Sequence, residues 1–221
     1  MPEPDPVLVP TPAGDARISY APAVGTARAL LALGHGAGGG IEARDLRALA
    51  AALPPLGITV ALVEQPWRVA GRRLAPAPKT LDAGWLPVAA HLAEQGPPLV
   101  VGGRSAGARV ACRTGAASGA VGVVALAFPL HPPGRPGKSR AEELIGCGLP
   151  ALVVQSAADP FGGPDEFPEL PEGQTLAAVP YGSHGFDVPK RAPVGQAEVL
   201  EMITGAVASW VLALVAPGPP R

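Results

Sequence analysis

Charge is scarce in this chain. Only 16% of its residues are Asp, Glu, Lys or Arg, against 48% apolar residues. That balance excludes a disordered chain and demands a packed core. Nor is there a basic excess: 17 Lys and Arg face 18 Asp and Glu, for a net charge of −1, which argues against nucleic acid as a partner. Long hydrophobic runs are missing too. The longest, 121–127 and 207–216, fall short of the roughly 20 residues a membrane helix needs, so no membrane span is expected. The opening residues, Met1 to Asp5, lack the basic-then-apolar pattern of a secretory leader. Cysteine is down to Cys112 and Cys147, too few for a disulfide framework; two reduced thiols in a cytoplasmic protein are expected. No segment repeats at a solenoid period.

Glycine and proline are abundant, with 29 of each. They punctuate short apolar segments in the manner of strand–loop–helix junctions. The length of 221 residues suits one sizeable core, expected over 13–216, with a loose proline-rich tail over 1–12 and a short tail over 217–221. A short extended stretch at 16–20 suggests an edge strand. Continuous apolar runs at 29–33, 58–63, 99–101, 121–127, 151–155 and 175–179 fit strands buried on both faces. Helical spacing appears at 42–53, 81–94, 106–116 and 196–216. Strands alternating with helices predict an α/β fold: a mainly parallel sheet, helices on both faces.

The segment from Pro98 to Ala111 predicts strand, sharp turn, helix, with Gly103-Arg104-Ser105-Ala106-Gly107 at the turn. A serine in a strained turn needs small residues two before and two after it, and Gly103 and Gly107 supply them. The helix N-terminus then faces any negative charge that develops beside Ser105. The alternative is an ordinary helix start with Ser105 as its N-cap. A serine hydroxyl becomes a competent nucleophile only with a base, and that base needs an orienting acid. Asp159 follows the strand at 151–155, and His184 follows the last strand, so nucleophile, acid and base come in a workable chain order. Each sits at a strand's carboxyl end. Among the other histidines, His91 falls inside a predicted helix, His35 suits a loop organiser, and His131 is a second candidate for the base or for the pocket lining. Asp165 and Glu166 are runners-up for the acid, in a loop that reads as solvated surface.

A second glycine cluster, from Gly34 to Gly40, follows the strand at 29–33. It is the expected source of an oxyanion donor, the N–H of Ala37, with the N–H of Ala106 as the other. The same residues also fit G-x-G-x-x-G at Gly34, Gly36 and Gly39, with Glu64 ending the next strand, as in a dinucleotide-binding protein. That reading leaves Ser105, Asp159 and His184 without a role.

His35-Gly36-Ala37-Gly38-Gly39, the Ser105 turn, the Asp159-Pro160-Phe161-Gly162 turn and the late His184 together resemble the α/β-hydrolase superfamily over nearly the whole chain. The stretches from Glu64 to Arg73 and from Phe128 to Pro136 resemble a small cap-less branch, similar to dienelactone hydrolases and to the hydrolase-like domain of an NSL chromatin-complex subunit. The resemblance implies an eight-stranded, mostly parallel sheet, no separate cap domain and a Ser105–His184–Asp159 triad. It also implies an alternative, since some relatives serve as interaction modules without useful turnover. Dienelactone hydrolases carry cysteine where this chain has Ser105, so their substrate does not transfer. The expectation is a serine hydrolase acting on a small acyl substrate, with no metal or organic cofactor required and no motif specifying an oligomeric state. His35, Gln65, Trp67, Arg68, Arg104 and His131 are expected near the pocket. Arg68, Arg72, Arg73 and Arg104 would face an anionic substrate unless they are solvated or, for Arg104, paired with an acid such as Glu64.

Overall fold

The structure is a computed structural model that describes residues 5–216. Its frame is one eight-stranded sheet. The strands in chain order are β1 (Val7–Val9), β2 (Ala16–Ala21), β3 (Ala29–Gly34), β4 (Ile58–Glu64), β5 (Leu99–Arg104), β6 (Gly122–Leu126), β7 (Ala151–Ser156) and β8 (Gln174–Val179). In space they run β1-β2-β4-β3-β5-β6-β7-β8. The first two pairings, β1 with β2 and β2 with β4, are antiparallel, and every other pairing is parallel. The central strands β3, β5, β6 and β7 are buried almost end to end, which is why they appear in sequence as unbroken apolar runs.

Alternate residues of each strand feed opposite cores. Leu30, Ala32, Val101 and Val123 point to one face, where α3 (Pro78–Ala93) and α4 (Ala106–Thr114) cover them with Trp85, Val88, Leu92 and Val110. Leu31, Leu33, Val100 and Val124 point to the other, beneath α1 (Arg44–Ala52) and α6 (Gln196–Leu214). In α6 the buried Val199, Ile203, Val207 and Val211 recur every fourth residue, a stripe laid on the sheet. By length and composition this 19-residue helix, whose most apolar 18-residue stretch has a mean hydropathy of 1.5, is long and apolar enough to cross a membrane, a test that a helix packed on a core also passes. It exceeds the apolar run expected over 207–216 because the helix continues back through Gln196. Two short helices, α2 (Pro66–Val69) and α5 (Ala141–Ile145), complete the fold. Cys112 and Cys147 are buried free thiols.

One expectation changes. Residues 7–9, inside the stretch expected as a loose tail, form β1 and pair with Ile18, Arg17 and Ala16. The tail at 217–221 lies outside the described residues. All the parallel strands end on one side, and the loops leaving β3, β5, β6, β7 and β8 converge there.

Candidate active site

Only one residue separates β5 from α4, and it is Ser105. The chain turns there through φ 53° and ψ −110°, a region that costs a non-glycine residue about 1–3 kcal/mol. Two glycines allow the turn. A Cβ on Gly103 would stand 2.5 Å from the Gly34 carbonyl oxygen, and a Cβ on Gly107 would press on the same atom. Backbone bonds hold the turn: the Ser105 N–H donates to Leu126 O at 2.9 Å, and Ser105 O accepts from the Arg109 N–H at 3.2 Å. The Ser105 side chain makes no capping bond to α4. It is turned outward instead.

There it meets His184, whose Nε2 lies 2.9 Å from Ser105 Oγ, while Nδ1 lies 2.8 Å from Asp159 Oδ2. A carboxylate only accepts, so the ring proton sits on Nδ1 and Nε2 is free to accept from the serine hydroxyl. The Asp159 carboxylate is buried and held from three directions: besides His184, Gln155 Nε2 donates to Oδ2 at 3.0 Å and the Phe161 N–H donates to Oδ1 at 2.8 Å. The Phe161 ring lies against the imidazole, with centroids 4.2 Å apart. The His184 loop is pinned on both flanks. Ser156 Oγ donates to Gly182 O, Arg44 pairs with Asp187, and Arg104 Nη2 donates to His184 O at 2.7 Å.

An open cleft of about 470 Å³ lies over this chain of hydrogen bonds. Ala37 and Ala106 line it beside Ser105. As the first residue of α4, Ala106 has an N–H with no helical carbonyl one turn earlier to accept it. Phe161, Pro129, Arg104, Arg109 and Arg140 form much of the remaining wall.

Several residues expected at the pocket stand elsewhere. His35, Gln65 and Trp67 line a recess of about 10 Å³ behind Ala37 and Ala106, room for one water at most. His35 Nδ1 donates to Gly36 O at 2.9 Å and Nε2 accepts from the Gln65 N–H at 3.1 Å, so the ring braces the loop. Burial lowers its pKa and keeps it neutral for both bonds. His131 lies outside the Ser105 cleft: Nδ1 donates to Pro132 O at 2.9 Å and Nε2 lies 3.0 Å from Glu166, along another depression. Arg68 pairs with Glu42 at 3.3 Å, and Arg72 and Arg73 are exposed; none of the three lines the cleft. His91 is half-buried in the last turn of α3, away from the cleft.

Arg104 does line the cleft, but its partner is Asp45 rather than Glu64, with Nε 3.3 Å from Asp45 Oδ2. Glu64 is taken by Arg17, its register partner across the β2–β4 pair. That pairing also removes Glu64 as a ribose-binding acid. The glycine loop does not open directly into a helix either, since α1 starts only at Arg44. The sequence does not point to Gln155, Arg109 or Arg140 as site residues, and it offers Phe161 only as part of the Asp159 turn. Gln155, a polar residue near the end of an apolar strand, and Arg109, one helical turn after Ser105, carried a readable signal.

The profile of the alpha/beta hydrolase domain family matches residues 27–212. The chain belongs to that family. Among solved structures this chain is similar to a lidless serine hydrolase, XC6422 from Xanthomonas campestris, at 22% identity and a TM-score of 0.76, covering 100% of this chain and 99% of that one. It is also similar to Est1E from Butyrivibrio proteoclasticus (13% identity, TM-score 0.74, 97% and 100% covered). A third is dienelactone hydrolase from Anabaena variabilis (16% identity, TM-score 0.71, 96% and 99% covered). No curated protein matches the chain. The chain has the α/β-hydrolase fold in one domain without a separate cap, consistent with the open cleft.

Proposed function

We propose that this protein is a serine hydrolase that cleaves esters or related acyl bonds through an acyl-enzyme. The observation that carries this reading is the continuous hydrogen-bonded path from Ser105 Oγ through His184 to buried Asp159, opening on a cleft. In the first half-reaction Ser105 Oγ attacks the scissile carbonyl while His184 Nε2 takes its proton. Asp159 keeps the imidazole in the Nδ1–H tautomer and stabilises the imidazolium that forms. The N–H groups of Ala37 and Ala106 face the developing oxyanion, and Ala106 adds the partial positive charge of the α4 N-terminus. His184 then returns the proton to the leaving alcohol, and water repeats the sequence in reverse to free Ser105.

The test is covalent labelling with a fluorophosphonate probe, beside hydrolysis of a panel of 4-nitrophenyl esters. The wild-type protein is expected to take one label and the folded Ser105→Ala variant none. Folded wild-type protein that neither labels nor turns over any ester would leave the fold serving an interaction role instead.

A further inference from the structure

The cleft is charged in a way the composition does not foreshadow. The whole chain is nearly neutral. Yet Arg104, Arg109 and Arg140 line the cleft, and no Asp or Glu does. Arg104 is committed to Asp45 and His184 O. The other two belong to a cluster that ends one charge short of neutral. Glu143 accepts from Arg109 Nε at 2.8 Å and Nη2 at 2.5 Å, and also from Arg113 Nη1 at 2.9 Å. Arg113 in turn forks onto Asp82 at 3.0 and 2.6 Å. Three arginines therefore share two carboxylates, and the one left over is Arg140. Its Nη1 donates to Pro129 O at 3.0 Å, and it forms no ion pair among the described residues. Burial and the nearby Arg109 charge push its pKa down, against a smaller upward pull from Glu143, with which it makes no direct pair. Its backbone N–H donates to Leu130 O at 2.7 Å, which fixes where the side chain starts.

We infer that the Arg109–Arg140 wall is an anion-binding subsite, and that the natural substrate is an ester carrying a carboxylate a few bonds from the scissile carbonyl. This rests on the hydrolase reading and names its substrate class. Arg109 follows Ser105 by one helical turn, a rise of about 5 Å, which sets the spacing between reacting carbonyl and anion. A guanidinium fork matches a carboxylate in plane, and Arg140 has its outer edge free for one. The single surplus charge matches a monoanion better than a phosphate dianion. Neither arginine touches the reacting atoms; their role is to bind and orient.

Two measurements test this separately from catalysis. The first compares kcat/KM for the 4-nitrophenyl half-ester of glutarate with that for its neutral methyl diester, with Ser105→Ala as the blank. The half-ester is expected to be favoured about tenfold or more at low salt, a preference that shrinks as salt screens the charge. In Arg140→Met the ratio of the two values is expected to fall about tenfold, and a ratio taken within one variant cancels general damage to the fold. Equal rates for both esters, or a ratio that Arg140→Met leaves unchanged, would overturn the subsite while leaving the hydrolase reading intact. The second measurement is calorimetric titration of folded Ser105→Ala protein with monomethyl glutarate, a monoanion, and with inorganic phosphate. Saturable monomethyl glutarate binding that Arg140→Met abolishes supports the subsite even without turnover. Absent binding, or phosphate bound more tightly than monomethyl glutarate, overturns the proposal.

Discussion

Replacing Arg104 by methionine isolates the electrostatic tie that runs from α1 to the His184 loop. Asp45 is completely buried, and Arg104 Nε at 3.3 Å is the cation beside it. Burial holds the Asp45 pKa above the usual carboxylate value, and the Arg104 charge, foremost among the opposing influences, limits that rise. Without Arg104 a buried carboxylate loses its partner, a defect that costs about 3–5 kcal/mol, of the same order as the 5–15 kcal/mol that holds a typical domain together. Arg104→Met should therefore unfold at much lower urea than wild type at pH 7. It should recover part of the difference in acid, where Asp45 can take up a proton and stop being charged. Adding Asp45→Asn removes the orphaned charge, so the double variant should regain most of the lost stability, with a coupling of about 2 kcal/mol or more in the double-mutant cycle. Its fluorophosphonate labelling should stay slow even so, because the 2.7 Å bond from Arg104 to His184 O is still missing. Urea midpoints at two pH values and labelling rates read these effects independently. A cost below about 1 kcal/mol for Arg104→Met, or strictly additive single changes, would refute the reasoning.

Asp159→Asn should leave the fold intact yet slow ester hydrolysis by about 10⁴-fold at nearly unchanged KM. An amide can present N–H to His184 Nδ1, which moves the ring proton to Nε2, where it can no longer accept from Ser105; pre-steady-state ester kinetics would show the loss in the acylation step. The Glu143 carboxylate is pushed up by burial but pulled down further by Arg109 and Arg113, so its folded pKa lies below the unfolded value of about 4.5. The stability it contributes is full above that unfolded value and disappears as pH falls through the folded one. Urea titrations from pH 7 to pH 3 should find Glu143→Gln about 1–2 kcal/mol weaker than wild type at neutral pH and nearly equal to it at the acid end. A difference that persists in acid would put the effect in packing rather than charge.

The sheet was readable because its interior strands leave no choice. Residues 29–33, 58–63 and 151–155 are apolar without alternation, so only burial on both faces suits them, and the structure extends each by a single residue. The failures lie where local pattern and tertiary packing part company. The apolar run of β5 stops at 101 because Gly102 and Gly103 look like a turn; they remain in the strand because both pair with β3 and β6, so closely that a Cβ at Gly102 would strike Val124 O. α3 begins at Pro78, a residue that tolerates the first helical turn but reads as a breaker. β1 hides in a proline-rich stretch and exists only because β2 offers an edge.

The site divides along a different line. Ser105, Asp159 and His184 stood out because each follows a strand on one sheet edge, and parallel topology brings such positions together whatever lies between them. Charge partners have no such rule. Arg104 could not be given to Asp45 from sequence, because Asp45 sits in the first turn of α1, where an acid ordinarily faces water and the helix dipole. Packing of α1 on the sheet buried it instead, and it then required the arginine that the elbow supplies. That demand decides the electrostatics of the cleft. With Arg104 neutralised, and Arg68, Arg72 and Arg73 outside, the positive charge left over Ser105 comes from α4 and from the residue preceding α5. Neither Arg109 nor Arg140 belongs to a motif that points to an anion. The proposed catalytic arrangement was thus written in topology, while the proposed substrate preference depends on how many carboxylates the folded chain leaves for its arginines.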